Sequence, residues 1–215
     1  MPRPSRNVDQ LLLQAGRELL PQTGVRSLSI RAVTERAGVN LGMFHYHFKT
    51  KDVFVRAILQ QTYNDMFASL EMTARSGVSA LENLRASMNL LARFGRDNRQ
   101  LLVRLAGDAL AGDSVAMEFL RTNLPRHLEL VTGLLAQAQK QKSLRVLPLP
   151  QALAFLVGGV AAPLLIATAA LNSGFAPLPI AQVLEATVFT DAAISERVDM
   201  ALAGMAPPAR KGTRK

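Results

Sequence analysis

The chain has 215 residues, of which 49% are hydrophobic, so it is long and apolar enough to bury a large core. It contains no cysteine, which excludes disulfides, thiolate catalysis and zinc-thiolate sites and favours a reducing compartment. The formal net charge is +9 at pH 7, which indicates either a polyanionic partner or a solvated basic surface.

The positive charge is concentrated in two parts of the chain. Residues 1–60 hold nine Lys/Arg against four Asp/Glu, and residues 210–215 add four cations and no acid, whereas the stretch between them is balanced. A basic head on a neutral body predicts that one end of the molecule meets a polyanion. The first apolar run, Leu11 to Leu13, is too short for a signal peptide, so we expect a cytoplasmic protein.

Two helices are predicted before Asn40. Apolar residues recur at three- and four-residue spacing over residues 7–20, which is typical of an amphipathic helix, and Pro21 and Gly24 predict its end. Ser29 is a suitable N-cap for a second helix of about two turns, which Gly38 closes.

A third short helix follows after a very short turn. Asn40 is its predicted N-cap, and Phe44 and Phe48, four residues apart, point together into a core. Thr50 then opens a long helix that is predicted to run to about residue 74. Two short helices joined so closely have the dimensions of a helix-turn-helix, whose second helix lies in the DNA major groove.

Polar side chains around this turn are the candidate DNA contacts. Hydroxyls, imidazoles, lysines and helix N-termini suit phosphate oxygens, and Gly42 would let the backbone approach the duplex closely. The predicted DNA-binding residues are Ser29, Arg31, Asn40, Leu41, Gly42, Met43, His45, Tyr46, His47, Lys49 and Lys51.

The edge that would read bases is unusually apolar. Leu41 and Met43 cannot form bidentate hydrogen bonds with purines, but they can pack against thymine methyl groups. Arg31, His45 and Tyr46 are the polar candidates for base reading. The sequence therefore predicts an operator with important T·A positions.

Beyond residue 77 the pattern stays helical, without a convincing strand. We predict helices near residues 78–95, 98–111, 114–142, 150–172 and 180–203. Pro125 predicts a kink or a break, and residues 207–215 are predicted to form a short, basic, disordered tail. With the four earlier helices, these segments predict an all-α protein of about nine helices.

No formal charge occurs from Val146 to Leu184, and Ala152 to Leu171 could by length span a bilayer. Small residues and Pro163 permit close helix packing, which occurs both in membranes and at soluble dimer interfaces. We favour burial in protein, because the flanking helices are amphipathic and a lone span would strand the basic head and tail on opposite sides. A membrane-anchored DNA-binding protein is the alternative.

Residues 11–59 resemble the DNA-binding head of the TetR family of bacterial transcriptional regulators. The family pattern runs (S/T)-(I/V)-R-x-(I/V)-A-x-x-A-G-V-(S/N)-x-G-x-(L/F)-Y-x-H-F-x-(S/N/T)-K-(E/D). It is matched by Ser29, Ile30, Arg31, Val33, Ala37, Gly38, Val39, Asn40, Gly42, Phe44, His47, Phe48, Lys51 and Asp52. The chain departs from it at Thr34, where Ala is usual, at Leu41, where polar residues are common, and at His45, where the family has Tyr.

The resemblance implies three segments: a helix-turn-helix DNA-binding domain over residues 1–50, a helical ligand-binding and dimerisation domain over residues 51–206, and the tail over residues 207–215. It implies a homodimer that binds a near-palindromic operator in double-stranded DNA, usually as a repressor, and is released by a small molecule. The last two large helices would form a dimeric four-helix bundle. Activation of transcription is the alternative outcome of DNA binding.

An effector of mostly apolar character is expected, because charges are few away from the surface, although each candidate contact is also an ordinary core residue. The ligand-binding candidates are Met66, Met88, Phe94, Met117, Phe119 and Phe155. The predicted dimer contacts are Leu153, Leu156, Gly158, Gly159, Leu164, Val183 and Val188. No catalytic residue, cofactor or metal is predicted, since His45 and His47 point about 200° apart on a helix without an accompanying acid cluster.

Overall fold

The computed structural model describes residues 7–76 and 79–208, and the secondary-structure elements within these ranges are all helices. The predicted all-α fold class is therefore confirmed. The described residues form ten helices: α1 (Val8–Ser27), α2 (Ile30–Ala37), α3 (Leu41–Phe48), α4 (Lys51–Ser76), α5 (Ala80–Asp97), α6 (Arg99–Leu110), α7 (Ser114–Lys140), α8 (Leu149–Asn172), α9 (Leu178–Val188) and α10 (Asp191–Gly204).

The chain divides into two compact units. Unit 1 comprises Met1–Asp65 and Asn98–Leu124, and unit 2 comprises Met66–Asp97 and Pro125–Lys215. Helices α4 and α7 each contribute residues to both units. Compact units and functional domains are different divisions of a chain, so the predicted domain limits at residues 50 and 206 stay a prediction.

Unit 1 is organised around α1, the helix-turn-helix pair, the first part of α4 and the α6–α7 segment. Gly16 lies against α4, where an added Cβ would collide with Ile58 Cδ1 and stand 2.6 Å from Phe54 Cζ. Only a residue without a side chain permits this approach. The fully buried side chains of the unit include Leu12, Leu20, Phe44, Phe54, Ile58 and Leu105.

Helix α1 extends past its predicted end at residue 20. Pro21 lies inside the helix, and the backbone leaves helical geometry only at Gly24, with φ +75° and ψ 178°. Leu20 and Val25 on either side are buried, so packing offsets the hydrogen bond that a proline cannot donate. Gly24 therefore divides α1 into two helical segments, at one of the two residues that were predicted to end the helix.

Unit 2 is built from the second parts of α4 and α7 together with α5, α8, α9 and α10. Helix α8 buries one stripe, formed by Ala152, Leu156, Val160, Leu164 and Ala167. The stripe belongs to the same core as buried residues of α5, α7 and α10, and α8 packs against both α5 and α10. Helix α9 has no buried residue.

One predicted helix is wrong, and of the kink or break predicted at Pro125 the break does not occur. The segment predicted as one helix over residues 180–203 is two helices, because Thr190 starts a new one, its Oγ1 accepting the Ala193 N–H at 3.2 Å. Helix α7 continues through Pro125, so the predicted break is absent. The predicted tail over residues 207–215 lies mostly outside the described residues, which end at Pro208.

Candidate nucleic-acid interface

Local capping fixes the two short helices of unit 1. Ser29 Oγ accepts the Ala32 N–H at 3.4 Å at the start of α2, and Asn40 Oδ1 accepts the Met43 N–H at 3.0 Å at the start of α3. Between them, Gly38 adopts φ +67° and ψ 30°, the left-handed geometry that a glycine adopts without strain. The predicted caps and turn are confirmed.

An aromatic cluster attaches α3 to the core of unit 1. The Phe44 ring centroid lies 5.8 Å from that of Phe48 and 5.1 Å from that of Phe54, and the Phe48–Phe54 centroids are 4.9 Å apart. All three side chains are buried. Because they hold one face of an eight-residue helix inside, they decide which residues face outwards.

The outward face of α3 carries Leu41, Gly42, His45 and Tyr46. Leu41 is 50% exposed and Tyr46 is 74% exposed, both high values for apolar or aromatic side chains. Met43, by contrast, is half-buried and packs against the core of unit 1. The apolar part of the predicted reading edge is therefore Leu41 more than Met43.

Gly42 also has a local reason to be glycine. A Cβ at this position would lie 3.2 Å from Asn40 Oδ1, the oxygen that caps α3. A larger residue would crowd the cap as well as the approach of any partner to the helix N-terminus.

The two histidines of α3 lie in different surroundings. His45 is exposed, and its Nδ1 lies 3.2 Å from the carbonyl oxygen of Lys49. His47 is half-buried between the rings of Tyr46 and Phe48, with centroids 5.1 and 6.3 Å away, and its Nε2 is buried without a hydrogen-bond partner among the described residues.

The predicted cations are not equally available. Lys49 is exposed, with φ +61° and ψ −54° in the connection to α4. The Lys51 Nζ donates to the Arg26 carbonyl oxygen at 2.8 Å, which ties α4 to the last turn of α1. Arg31 forms an exposed ion pair with Glu35 at 3.0 Å, an arrangement that is weak in solvent.

One contact that positions the helix-turn-helix was not predicted. Asp108 of α6 accepts the Val25 N–H through Oδ2 at 2.6 Å, just before α2 begins. A Cβ on Gly24 would lie 2.6 Å from the same oxygen. Since 83 positions separate the donor from the acceptor, no local pattern could reveal the pair.

The ligand-binding candidates are divided between the two units. Met117 and Phe119 belong to unit 1, whereas the other four belong to unit 2. Within unit 2, Met66 and Met88 are buried and Phe155 is 50% exposed.

The predicted dimer contacts also divide by burial. Leu156 and Leu164 are buried in the core of unit 2. Leu153 and Val188 pack partly against that core, and Gly158, Gly159 and Val183 are exposed. Other large apolar side chains, which are not among the predicted contacts, are exposed on α8, α9 and their connection: Ile166, Phe175, Leu178 and Ile180.

Comparison with known proteins agrees with this geometry. The family model described as "Bacterial regulatory proteins, tetR family" matches residues 12–58, which include α2 and α3. "Probable HTH-type transcriptional regulator YttP" of Bacillus subtilis is 22% identical over 142 residues, 65% of this chain and 68% of that protein. "HTH-type transcriptional repressor KstR2" of Rhodococcus jostii is 28% identical over 75 residues, 35% of this chain and 37% of that protein. Apart from the Bacillus protein, the chain spans about half or less of the length of the curated relatives it matches.

Solved structures share the fold across most of the chain. A TetR-family transcriptional regulator from Agrobacterium tumefaciens has a TM-score of 0.72 at 16% identity, covering 94% of this chain and 99% of that one. The transcriptional regulator FadR from Bacillus subtilis, solved in complex with stearoyl-CoA, has a TM-score of 0.69 at 13% identity, covering 91% and 98%. At such identities the likeness shows the fold alone.

Proposed function

The chain belongs to the TetR family of bacterial transcriptional regulators, and on that basis we propose that it binds a near-palindromic operator as a homodimer and represses transcription until a small effector releases it. The observation that carries the proposal is the outward face of α3. It presents Leu41, His45 and Tyr46 to solvent from a helix whose opposite face is held by buried phenylalanines. A second helix of a helix-turn-helix exposed in this way fits the major groove.

We divide the DNA contacts by chemistry. Ser29, Lys49 and the N-terminus of α3 are suited to phosphates, which set register and supply the salt-dependent affinity. Leu41 is suited to a thymine methyl group, and Tyr46 can donate its hydroxyl to a phosphate or a base. Lys51 would need to release the Arg26 carbonyl to contribute.

Homodimerisation is supported by the surface of α8 and α9. Ile166 and Leu165 on α8, and Leu178, Ile180 and Val183 on α9, are between 40% and 79% exposed. An exposed apolar surface of this kind is usually covered, and a second copy with the same surface is the occupant that the proposed two-fold operator would require. The proposed interface therefore uses these residues in place of Leu156 and Leu164.

Repression and release by an effector form the finer part of the proposal. The bulk of unit 2 is apolar, which suits an effector of mostly apolar character. The FadR structure with the same fold contains stearoyl-CoA, so acyl-CoA thioesters are the first compounds to test. The effector would act by shifting α3 through α4, the helix that follows it.

Binding-site selection from a random duplex library, followed by fluorescence anisotropy on the selected site, tests DNA binding. We expect a two-fold symmetric site and a steep loss of affinity with salt, about 0.9 in log–log slope for each phosphate contact. Lys49→Ala should lower that slope by about 1, whereas Leu41→Ala should relax selection at one T·A position. A site without symmetry, or equal sequence-independent losses from both variants, would contradict the proposal.

The effector and the regulatory sign need separate measurements. Addition of acyl-CoA thioesters of graded chain length to the protein–DNA complex should lower the anisotropy if they release the protein. A reporter gene behind the selected site should be silenced by the protein if it is a repressor. Increased reporter expression would instead support the activator.

Membrane anchoring is the second candidate, since α8 is long and apolar enough to cross a bilayer, with a third of its most apolar stretch buried in the protein. We favour the dimer because the stripe from Ala152 to Ala167 already packs in the core of unit 2. Cell fractionation decides between them: a soluble cytoplasmic protein stays in the supernatant, and an anchored one sediments with membranes.

A further inference from the structure

We infer that neutral His45 reads the exocyclic amino group of an adenine in the operator, acting as a hydrogen-bond acceptor through Nε2. The inference rests on the proposed function, because it assigns a role to one residue of the same DNA-binding face. At this position the family pattern has Tyr, whose hydroxyl can donate to phosphate. His45 has different hydrogen-bonding chemistry, which the structure specifies.

The bond between His45 and Lys49 determines which ring nitrogen carries the proton. The Nδ1 of His45 lies 3.2 Å from the Lys49 carbonyl oxygen. A carbonyl oxygen can only accept a hydrogen bond, so Nδ1 must carry the hydrogen. In the neutral imidazole, Nε2 then has a lone pair and no hydrogen, and it can only accept.

The Lys49 carbonyl belongs to an unusual turn. Lys49 has φ +61° and ψ −54°, and the Thr50 N–H donates to the Phe48 carbonyl at 2.6 Å, which together define a γ-turn between α3 and α4. Such backbone geometry is strained for a residue with a side chain and is found preferentially at functional sites. The His45 side chain reaches forward by one helical turn to this strained connection.

Nε2 remains available for DNA. His45 is exposed, and within the described part of the chain its ring contacts the Lys49 carbonyl and the Phe44 ring, whose centroid is 5.6 Å away. A neutral Nε2 cannot donate to a phosphate oxygen, which is itself only an acceptor. In the major groove the base donors are adenine N6 and cytosine N4, so these are the groups that it can bond.

Leu41 favours adenine over cytosine. Leu41 and His45 lie about one turn apart on the outward face of α3, about 6 Å along the axis, which is within two base-pair steps of about 3.4 Å each. A thymine methyl group and an adenine N6 amino group are both displayed in the major groove by the same T·A pair. The two side chains together therefore suit one T·A pair or two adjacent ones.

Imidazole nitrogen NMR of the free protein tests the tautomer directly. The sequence has three histidines, so His45→Phe identifies the signals of His45 in histidine-labelled protein by their loss. With the imidazole neutral, we expect Nδ1 to show the nitrogen chemical shift of a ring nitrogen that carries a hydrogen, and Nε2 that of a ring nitrogen without one. The reverse pattern would overturn the inference and leave the proposed DNA binding intact.

A cycle between protein variants and base analogues tests the contact. Replacing each operator adenine in turn by purine, which lacks the amino group, should weaken wild-type binding about three- to tenfold at one position, the range expected for one neutral hydrogen bond. The same replacement should have less than about a twofold effect on His45→Phe, because the acceptor is already absent. Tyr46→Phe, the matched control, should keep the full loss.

Three further results would overturn the assignment of His45 to an adenine amino group. The same cycle can be run with 2-pyrimidinone in place of cytosine, or with a methylphosphonate in place of a phosphate. A loss of affinity that the wild type shows and His45→Phe does not, at either replacement, would overturn the assignment to adenine. Wild-type binding that no purine replacement weakens would overturn it as well. A protein that binds no selected duplex at all would overturn the proposed function, and the inference with it.

Discussion

Helices α3 and α8 each carry large apolar side chains that are buried and others that are exposed. The two helices differ in how clearly the sequence indicates which of these residues are buried. In α3 the buried Phe44 and Phe48 alternate with Gly, His and Tyr, so the two faces differ in chemistry. Helix α8 contains no charged residue, and buried Leu156 has the exposed Phe155 beside it. A sequence therefore reveals the buried face of a helix only where the residues of the opposite face differ from it in chemistry.

The largest expected effect comes from the buried face of α3. Phe44→Ala removes a fully buried ring that contacts Phe48 and Phe54, and it should lower the free energy of unfolding by about 3–5 kcal/mol. Urea denaturation measures the loss, and DNA binding should disappear with it.

Tyr46→Ala is the matched control on the opposite face, where the side chain is 74% exposed. It should change the free energy of unfolding by less than about 0.5 kcal/mol while weakening DNA binding. Similar destabilisation by both variants would remove the contrast between the two faces of α3.

On α8 the difference between buried and exposed residues has to be measured by mutation, because both faces of this helix are apolar. Leu156→Ala should lower the free energy of unfolding of unit 2 by about 2–5 kcal/mol, since Leu156 is fully buried in the core of the unit. Ile166→Glu, at a 68% exposed position, should leave that free energy within about 0.5 kcal/mol.

Analytical ultracentrifugation measures the oligomeric state of the Ile166→Glu variant. Ile166→Glu should convert the proposed dimer into monomers, because it places a charge in an apolar interface. A dimer that persists would exclude α8 as the interface, and a strongly destabilised monomer would mean that Ile166 belongs to the core.

These differences explain how much could be predicted. The caps Ser29 and Asn40, the turn at Gly38 and the pair Phe44 and Phe48 are local signals, and each was confirmed. The contribution of long-range packing is less visible in a sequence. It carries α7 through Pro125, makes Met43 half-buried, and turns Leu156 and Leu164 inwards in a helix that is apolar on all sides. Which DNA, effector and dimer contacts are used depends on partners, so those residues stay predictions.

Asp108 shows that unit 1 also depends on a contact between residues far apart in the sequence. Asp108→Ala leaves the N–H of buried Val25 without its acceptor, and it should lower the free energy of unfolding by about 1–3 kcal/mol. Asp108→Asn keeps an oxygen acceptor and should lose less. Urea denaturation of the two variants gives the difference, and hydrogen exchange at Val25 should accelerate in the alanine variant. Equal stability of both variants and the wild type would show that α6 does not help to position the helix-turn-helix.

Thr190 tests whether a local signal, the N-cap of α10, contributes to the stability of unit 2. Its Oγ1 accepts the Ala193 N–H at 3.2 Å and begins α10 directly after buried Phe189, where a single helix was predicted. Thr190→Ala should lower the free energy of unfolding by about 1 kcal/mol through loss of the cap, whereas Thr190→Ser should restore most of it. Urea denaturation measures both. If alanine is as stable as threonine, the division between α9 and α10 is set by the packing of Phe189 and Ile194, and unit 2 depends on long-range contacts even at its best local signal.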